Sequence, residues 1–376
     1  MGEAVSGTPR QWSEEWREAL DVLCVRLDTV GDVLMTTPAM KALKQARPGR
    51  RLTLLTSRRG AAIAPLVPEI DEVVAYDPPW MKATGPRTDV SADRMTIDRL
   101  RAMRFDAAVI FTVYSQNPQP ASLLCYLADV PLRLAHSREN PYGLLTHWVA
   151  EPEPERFIRH EVRRQLDLVR EVGCGTSDEG MSLSVPDAGR ERVAALLAPG
   201  RLDPAQPWVV LHSGASAASR RWPPKKFAEL ARQLARRGVK PVLTGTASER
   251  AVVETIADAS DGVALSLAGL LGLGELAALI ELTPLVVSNN TAPVHMAAAL
   301  GTPVVDLYAL TNPQHTPWGV PNRVLNRNVD CKYCYKSVCP ERHHRCLAGV
   351  TVSEVAKASM SLLAETTARA KPKVAL

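Results

Sequence analysis

Three short runs of the 376-residue chain gather residue types that move protons or hold anions. The first is Arg26-Leu27-Asp28-Thr29-Val30-Gly31-Asp32, which follows an apolar stretch. Gly31 permits a tight turn, and Asp32 stands where a helix begins. A carboxylate there either caps the helix or takes a proton from a substrate hydroxyl. This run is not G-x-G-x-x-G, so it carries no nicotinamide fingerprint. The second run is His212-Ser213-Gly214-Ala215-Ser216-Ala217-Ala218-Ser219-Arg220-Arg221-Trp222-Pro223. Its small residues let backbone N–H groups approach an anion, and guanidinium groups match phosphate oxygens. A solvated loop with surface arginines is the plainer reading of the same pattern. The third is Ser288-Asn289-Asn290-Thr291-Ala292-Pro293-Val294-His295. Pro293 marks a first helical turn, so Thr291 and Ala292 offer N–H groups to a phosphate with the helix dipole behind them. His295, taken alone, is more readily a packing histidine than a catalyst.

A fourth pattern, Cys331-x2-Cys334-x4-Cys339-x6-Cys346 with His343 and His344, fits zinc, disulfides or reduced thiols equally. Its place just before the last helix argues for a structural part rather than a chemical one.

The elements that must position these residues alternate in type. Apolar strand runs at 22–27, 52–56, 72–76 and 107–113 form one series, with a helix at 38–46. A second series places strands at 208–212, 240–243, 285–287 and 303–308. Helices at 226–237, 249–257, 276–282 and 293–300 separate them. Alternating strands and helices imply parallel sheets with right-handed crossovers, and two series imply two Rossmann-like halves. The break falls near 185–206, around Val185-Pro186-Asp187, Ala198-Pro199-Gly200 and Asp203-Pro204. An irregular stretch at 77–93 is too long for a simple turn. A last helix is expected at 353–363 and a frayed tail from Lys371.

Composition agrees with this architecture. At about 150 residues per domain the chain holds more than one. Hydrophobic residues at 46% and charged residues at 23% describe a soluble globular protein. Aromatics at 5% leave the cores to Ala, Val and Leu. A net charge of +5 over this length does not call for nucleic acid. The first twenty residues hold no apolar run of a secretory signal. The most apolar stretch, 263–287, is broken by Glu275, Glu281 and Pro284, so no membrane span is expected. Seven cysteines are too few for a disulfide scaffold. The expectation is a cytoplasmic protein, with peripheral contact to a membrane face left open.

From Val22 to Leu363 the chain resembles glycosyltransferase family 9, the ADP-heptose heptosyltransferases. The resemblance rests on Val30-Gly31-Asp32, Arg220-Arg221-Trp222-Pro223, Leu267-Ala268-Gly269, Ser288-Asn289-Asn290-Thr291, and His295 to Pro303 in that order and spacing. It implies an α/β GT-B fold, two Rossmann-like domains facing a cleft. An acceptor-binding domain would span 1–187 and a nucleotide-sugar domain 188–352. The terminal helix in 353–376 would turn back towards the first.

The activity implied is inverting, metal-independent transfer of a heptose or related sugar from an ADP-sugar, with no cofactor required. The acceptor would be a glycan of lipopolysaccharide-core type or a soluble small molecule. A non-catalytic binding protein on this fold, or another nucleotide-sugar enzyme such as an epimerase, is the alternative. By resemblance Asp32 is the base, and Arg220, where the family usually has Lys, meets the donor diphosphate. Glu249 falls near the ribose-binding acid and Leu271 near the adenine. Ser213, Gly214, Thr291, Ala292 and His295 belong to the donor site. At Asn290 the family usually has Asp; an amide both accepts and donates, which leaves the donor sugar open. Arg58, Arg59, Arg99, Arg101 and Arg104 would form a basic lip or, equally, ordinary solvated helix faces, and Tyr114-Ser115-Gln116-Asn117 would add an uncharged polar wall.

Overall fold

A computed structural model describes residues 14–82, 84–198, 202–203 and 206–367. Pro199, Gly200, Pro204 and the tail from Lys371 lie outside the described residues. The chain divides into two compact units between Ser182 and Leu183, five residues before the boundary read from the sequence. The reason is local. Ser182 donates its N–H to Thr37 Oγ1 at 2.9 Å and its hydroxyl to Glu69 Oε1 at 2.6 Å, which ties the extended chain to the first unit.

The first unit holds strands β1 (Asp21–Arg26), β2 (Arg51–Thr56), β3 (Glu72–Ala75), β4 (Ala107–Ile110), β5 (Leu132–Ser137) and β6 (His147–Ala150). Its helices are α1 (Glu14–Glu18), α2 (Val30–Ala46), α3 (Arg58–Ala61), α4 (Ser91–Met103), α5 (Gln119–Leu127) and α6 (Glu161–Arg170). The strands run parallel in the order β3-β2-β1-β4-β5-β6. Leu23, Val25, Leu55 and Ile110 face Leu100 and Leu124 of the covering helices in one buried cluster.

The second unit repeats the plan with β7 (Trp208–His212), β8 (Lys240–Thr244), β9 (Leu265–Ser266), β10 (Val286–Asn289), β11 (Val304–Leu307) and β12 (Asn322–Leu325). Its helices are α7 (Asp187–Leu196), α8 (Pro224–Ala235), α9 (Arg250–Asp258), α10 (Leu273–Leu282), α11 (Ala292–Ala299), α12 (Arg345–Ala348) and α13 (Val352–Thr367). The order is β12-β11-β10-β7-β8-β9, the first sheet's order again when each is counted from its own first strand. Val209, Leu211, Val287, Val305 and Leu307 pack on Trp222, Phe227, Leu230, Val253 and Val355.

Two expectations change. Pro38 does not open a helix but lies inside α2. Proline lacks the N–H that would bond Leu34 O, and the Thr37 hydroxyl takes that acceptor instead at 2.7 Å. The terminal helix α13 packs within the second unit, on α8 and the β11–β12 edge, because Val355, Ala356, Leu362 and Leu363 complete that core.

Candidate functional site

In each sheet the chain order reverses between two neighbouring strands: β1 and β4 in the first, β7 and β10 in the second. Connections leaving such a pair diverge to opposite faces and open a crevice at the carboxyl ends, where ligands of open α/β sheets bind. The three runs singled out in the sequence leave β1, β7 and β10 at those ends.

Arg26 closes β1 with its side chain 0% exposed. Its guanidinium meets Asp28 at 3.0 Å, Asp32 at 3.3 Å and Glu161, at the start of α6, at 2.7 Å. A buried cation persists only with partners of this quality. Burial alone would lower the arginine's affinity for its proton, but Asp28, Glu161 and Asp32 together raise it. Gln165 Nε2 joins Glu161 Oε1 at 2.6 Å to Thr112 O at 3.0 Å, so the chain leaving β4 is tied to the same cluster. Gln116, from the expected polar wall, donates to Asp28 Oδ1 at 2.7 Å. Burial drives the Asp28 carboxyl up to about 6, with Arg26 pulling the other way.

Asp32 occupies the third position of α2. Its Oδ2 accepts the Thr29 N–H at 3.0 Å and the Thr29 hydroxyl at 2.8 Å, while Oδ1 faces Arg26. Capping and proton transfer are therefore not alternatives. The carboxylate caps its helix, stays 21% exposed, and has about four lone-pair positions in all. Glu161 is the residue sequence reasoning missed, and with it the part Arg26 plays; Glu161 lies 135 positions from Arg26, and no local signal joins them.

Only part of the expected basic lip lies at the carboxyl ends of the strands. Arg99 pairs with Glu72 at 3.3 Å, and Arg101 pairs with Asp98 at 3.0 Å and Asp129 at 2.8 Å. Glu72 opens β3 and Asp129 precedes β5, so these arginines sit at the amino ends of the strands, away from the crevice. Arg104 caps the end of α4, just before β4. Arg58 and Arg59 do follow a carboxyl end, that of β2, and both are exposed, Arg58 pairing with Asp77 at 3.4 Å.

In the second unit Asn289 is the organiser. Its Nδ2 donates to Ser213 O at 2.7 Å and its Oδ1 accepts the Trp222 N–H at 3.0 Å, so one buried amide pins both ends of the 213–222 loop. The Trp222 indole N–H donates to Val350 O at 3.1 Å and holds the loop to the core. Gly214 lies against Glu249: a Cβ there would stand 2.2 Å from Glu249 Oε1. Only glycine lets the carboxylate rest on the loop without being pushed aside. Burial would raise the Glu249 carboxyl, yet the Thr246 N–H at 2.8 Å and hydroxyl at 2.9 Å hold it below the usual value. His212 ends β7, bonds Thr244 Oγ1 through Nδ1 at 3.0 Å, and is kept neutral chiefly by burial.

Arg220 closes a short 3-10 turn and points its Nη1 at Asn290 O, 3.5 Å away. Arg221 is exposed and donates to Ala215 O at 2.8 Å. Arg220 is thus the arginine turned towards the α11 start. There Thr291 is the cap, Pro293 has no N–H, and the Val294 N–H bonds Thr291 O at 3.0 Å. The N–H groups left at this helix end are those of Thr291 and Ala292. His295 is buried in the first turn. Leu271 stands apart, half-buried in the loop between the edge strand β9 and α10.

Asn290 differs from its expectation. Its Nδ2 donates to Asp306 Oδ2 and to His315 O, each at 3.0 Å. Both hydrogens of the amide are spent, so the side chain retains an acceptor only.

Cys331 Sγ lies 3.7 Å from His343 Nε2, and the seven cysteines are unpaired thiols. Among the described residues no group of three or more His, Cys, Asp or Glu is arranged to hold a metal, and no helix is long and apolar enough to cross a membrane.

Residues 95–345 match the family described as glycosyltransferase family 9 (heptosyltransferase). The lipopolysaccharide heptosyltransferase 2 of Salmonella typhimurium is 24% identical over 357 residues, 92% of this chain and 99% of its own. A glycosyl transferase family 9 structure from Veillonella parvula superposes with a TM-score of 0.76 at 22% identity, over 93% of this chain and 99% of that one. The E. coli heptosyltransferase WaaC solved with ADP-2-deoxy-2-fluoro heptose gives 0.64 at 19% identity, over 91% and 99%. These likenesses fix the fold as that of GT-B glycosyltransferases.

Proposed function

Because the chain belongs to glycosyltransferase family 9 (heptosyltransferase), we propose that it transfers a heptose or related sugar, with inversion, from an ADP-sugar to a hydroxyl or amine of an acceptor. The observation that carries this reading is the division between the two switch points. One ends in a partly exposed carboxylate, Asp32, and the other in a cationic, N–H-rich turn at Arg220, Thr291 and Ala292. A relative in this family was solved with an ADP-heptose analogue, which supports an ADP-sugar as the donor.

In this mechanism the acceptor oxygen or nitrogen attacks the anomeric carbon and its proton passes to Asp32. The bond from that carbon to the diphosphate breaks, and the electron pair leaves with ADP. Arg220, the loop from Ser213 and the start of α11 supply fixed positive potential to the growing charge. Glu249 binds the ribose, Leu271 borders the adenine, and no metal or cofactor is required by the residues named. A general base of this kind contributes about 10²–10⁴-fold.

Two observations bear on the acceptor. Relatives named as lipopolysaccharide heptosyltransferases, one of them as a lipopolysaccharide core heptosyltransferase, support a core glycan. The first-unit strand ends, however, present Asp28 and Asp32 around a buried arginine, and Arg99 and Arg101 lie at the other end of the sheet. The exposed Arg58 and Arg59 follow the carboxyl end of β2, so both a core glycan and a soluble small molecule with a hydroxyl or amine remain acceptor classes for this crevice.

Thermal unfolding with ADP, UDP, GDP and dTDP tests the donor class, since a ligand held only by the native state raises its stability. ADP is expected to give the largest rise, and ADP-heptose with core glycan or amine acceptors then to give transfer. Equal or absent shifts with all four nucleotides would contradict the reading.

A further inference from the structure

At its carboxyl end, the sheet face of the second unit that also carries the buried Val210, Val286 and Val304 bears a polar row. Parallel register aligns Thr244, His212, Ser288 and Asp306 across β8, β7, β10 and β11. Their neighbours Leu211, Val287, Val305 and Leu307 point the other way into the core, as strand alternation requires. Asp306 is the carboxyl of the row and is 0% exposed. Nothing in the mechanism above uses it.

Its contacts give it a task. Asp306 Oδ2 accepts one hydrogen of the Asn290 amide, and His315 O accepts the other. The carbonyl of His315 can only accept, so the amide cannot turn over without setting two oxygens against each other. Among the described residues no donor meets Asn290 Oδ1, and Asn290 follows β10 at the switch point beside the turn that Arg220 faces. Resting on the proposed donor site, we infer that Asp306 is a positioning residue that locks Asn290 with its amide oxygen alone available to a donor-sugar hydroxyl. Asn290 thereby offers what a carboxylate oxygen would offer, an acceptor, without its charge. Burial drives the Asp306 carboxyl up to about 8, against the Asn290 bond and the Arg220 charge, and either protonation state leaves Oδ2 able to accept. An aspartate at 290 would instead place an oxygen against both Asp306 and His315 O.

The test separates the sugar from the nucleotide. Calorimetry gives Kd for ADP and for ADP-heptose, and their ratio isolates the sugar's share of binding. In Asp306→Ala, or in the apolar and similarly sized Asp306→Leu, the ratio is expected to fall about five-fold or more, the worth of one hydrogen bond, with ADP affinity within about three-fold. Asp306→Asn keeps an acceptor oxygen and should keep the ratio. Asn290→Ala should lower it as Asp306→Ala does, and the double variant should lower it no further, because both act through one amide. An unchanged ratio in Asp306→Leu, or equal losses in Asp306→Asn and Asp306→Leu, would overturn the inference while leaving ADP binding intact. Wild-type protein that binds neither ADP nor ADP-heptose would overturn the donor site itself, and this inference with it.

Discussion

At the end of β1 one buried arginine answers three carboxylates, whereas beside the end of β10 one buried carboxylate leans on an amide, with an arginine at a distance. The strand order is the same in both units, so the difference lies in the side chains placed on it. The first arrangement is a closed ion cluster whose members depend on one another for solvation. The second gives its cation, Arg220, a backbone carbonyl in place of a carboxylate among the described residues, and so keeps positive potential for a ligand. A carboxylate anchored by a buried cation suits a base that must be held in place. Charge left partly uncompensated suits an anion that comes and goes.

The sharpest way to break this contrast is to remove the two arginines in turn. Arg26→Met strands Glu161, Asp28 and Asp32 without their cation and is expected to cost about 3–5 kcal/mol of stability, the usual result of breaking a buried ion cluster. Arg220→Met is expected to leave the denaturant midpoint nearly unchanged. Comparable losses in urea unfolding of the two variants would erase the distinction between a closed and an open cluster.

Asp32→Ala comes next. Loss of the cap should cost about 1 kcal/mol, and loss of the base should slow transfer at least about 100-fold. Asp32→Asn keeps an oxygen for Thr29 and separates the effects: the stability should return and the rate should not. A variant at Asp32 that keeps more than a tenth of the rate would remove this residue from proton transfer.

A finer distinction lies in pH. A carboxyl whose folded value is raised binds its proton more tightly in the native state, so its contribution is fully present below the unfolded value and is lost as pH rises through the folded one. For Asp28 the window runs from 3.8 to about 6, and for Asp306 from 3.8 to about 8. Relative to Asp28→Asn, wild-type stability should fall with rising pH and level off above about 6. Relative to Asp306→Asn the fall should continue to about 8. Melting temperatures across pH 4 to 9 would show two different endpoints; one shared endpoint would mean that the carboxyls titrate as equals.

The sequence carried the architecture because both sheets are parallel and buried, so their strands read as apolar runs between helical periods. It also carried the loops after β1, β7 and β10, whose small residues, arginines and helix-start proline are local signals. It did not carry α6 or β5 and β6, whose polar residues, among them Glu161, Arg164 and His136, are paired in the interior and disguise burial. Nor did it show that Pro38 sits within a helix, since the compensating Thr37 hydroxyl is visible only in three dimensions. The partners Arg26–Glu161 and Asn290–Asp306 join separate elements, and chain spacing holds no trace of them. Arginines on helix faces, by contrast, look alike in sequence whether they line a crevice or pair with acids at the far end of the strands, as Arg99 and Arg101 do.

The central claim is that proton transfer belongs to the end of β1 and nucleotide binding to the ends of β7 and β10. Calorimetric titration of ADP into wild type, Asp32→Ala and Arg220→Ala tests it most directly, because ADP carries neither the acceptor nor the transferred sugar. The account predicts near wild-type affinity in Asp32→Ala and a clear loss in Arg220→Ala, with Arg221→Ala close to wild type. Wild-type affinity in Arg220→Ala, or a loss confined to Asp32→Ala, would contradict it.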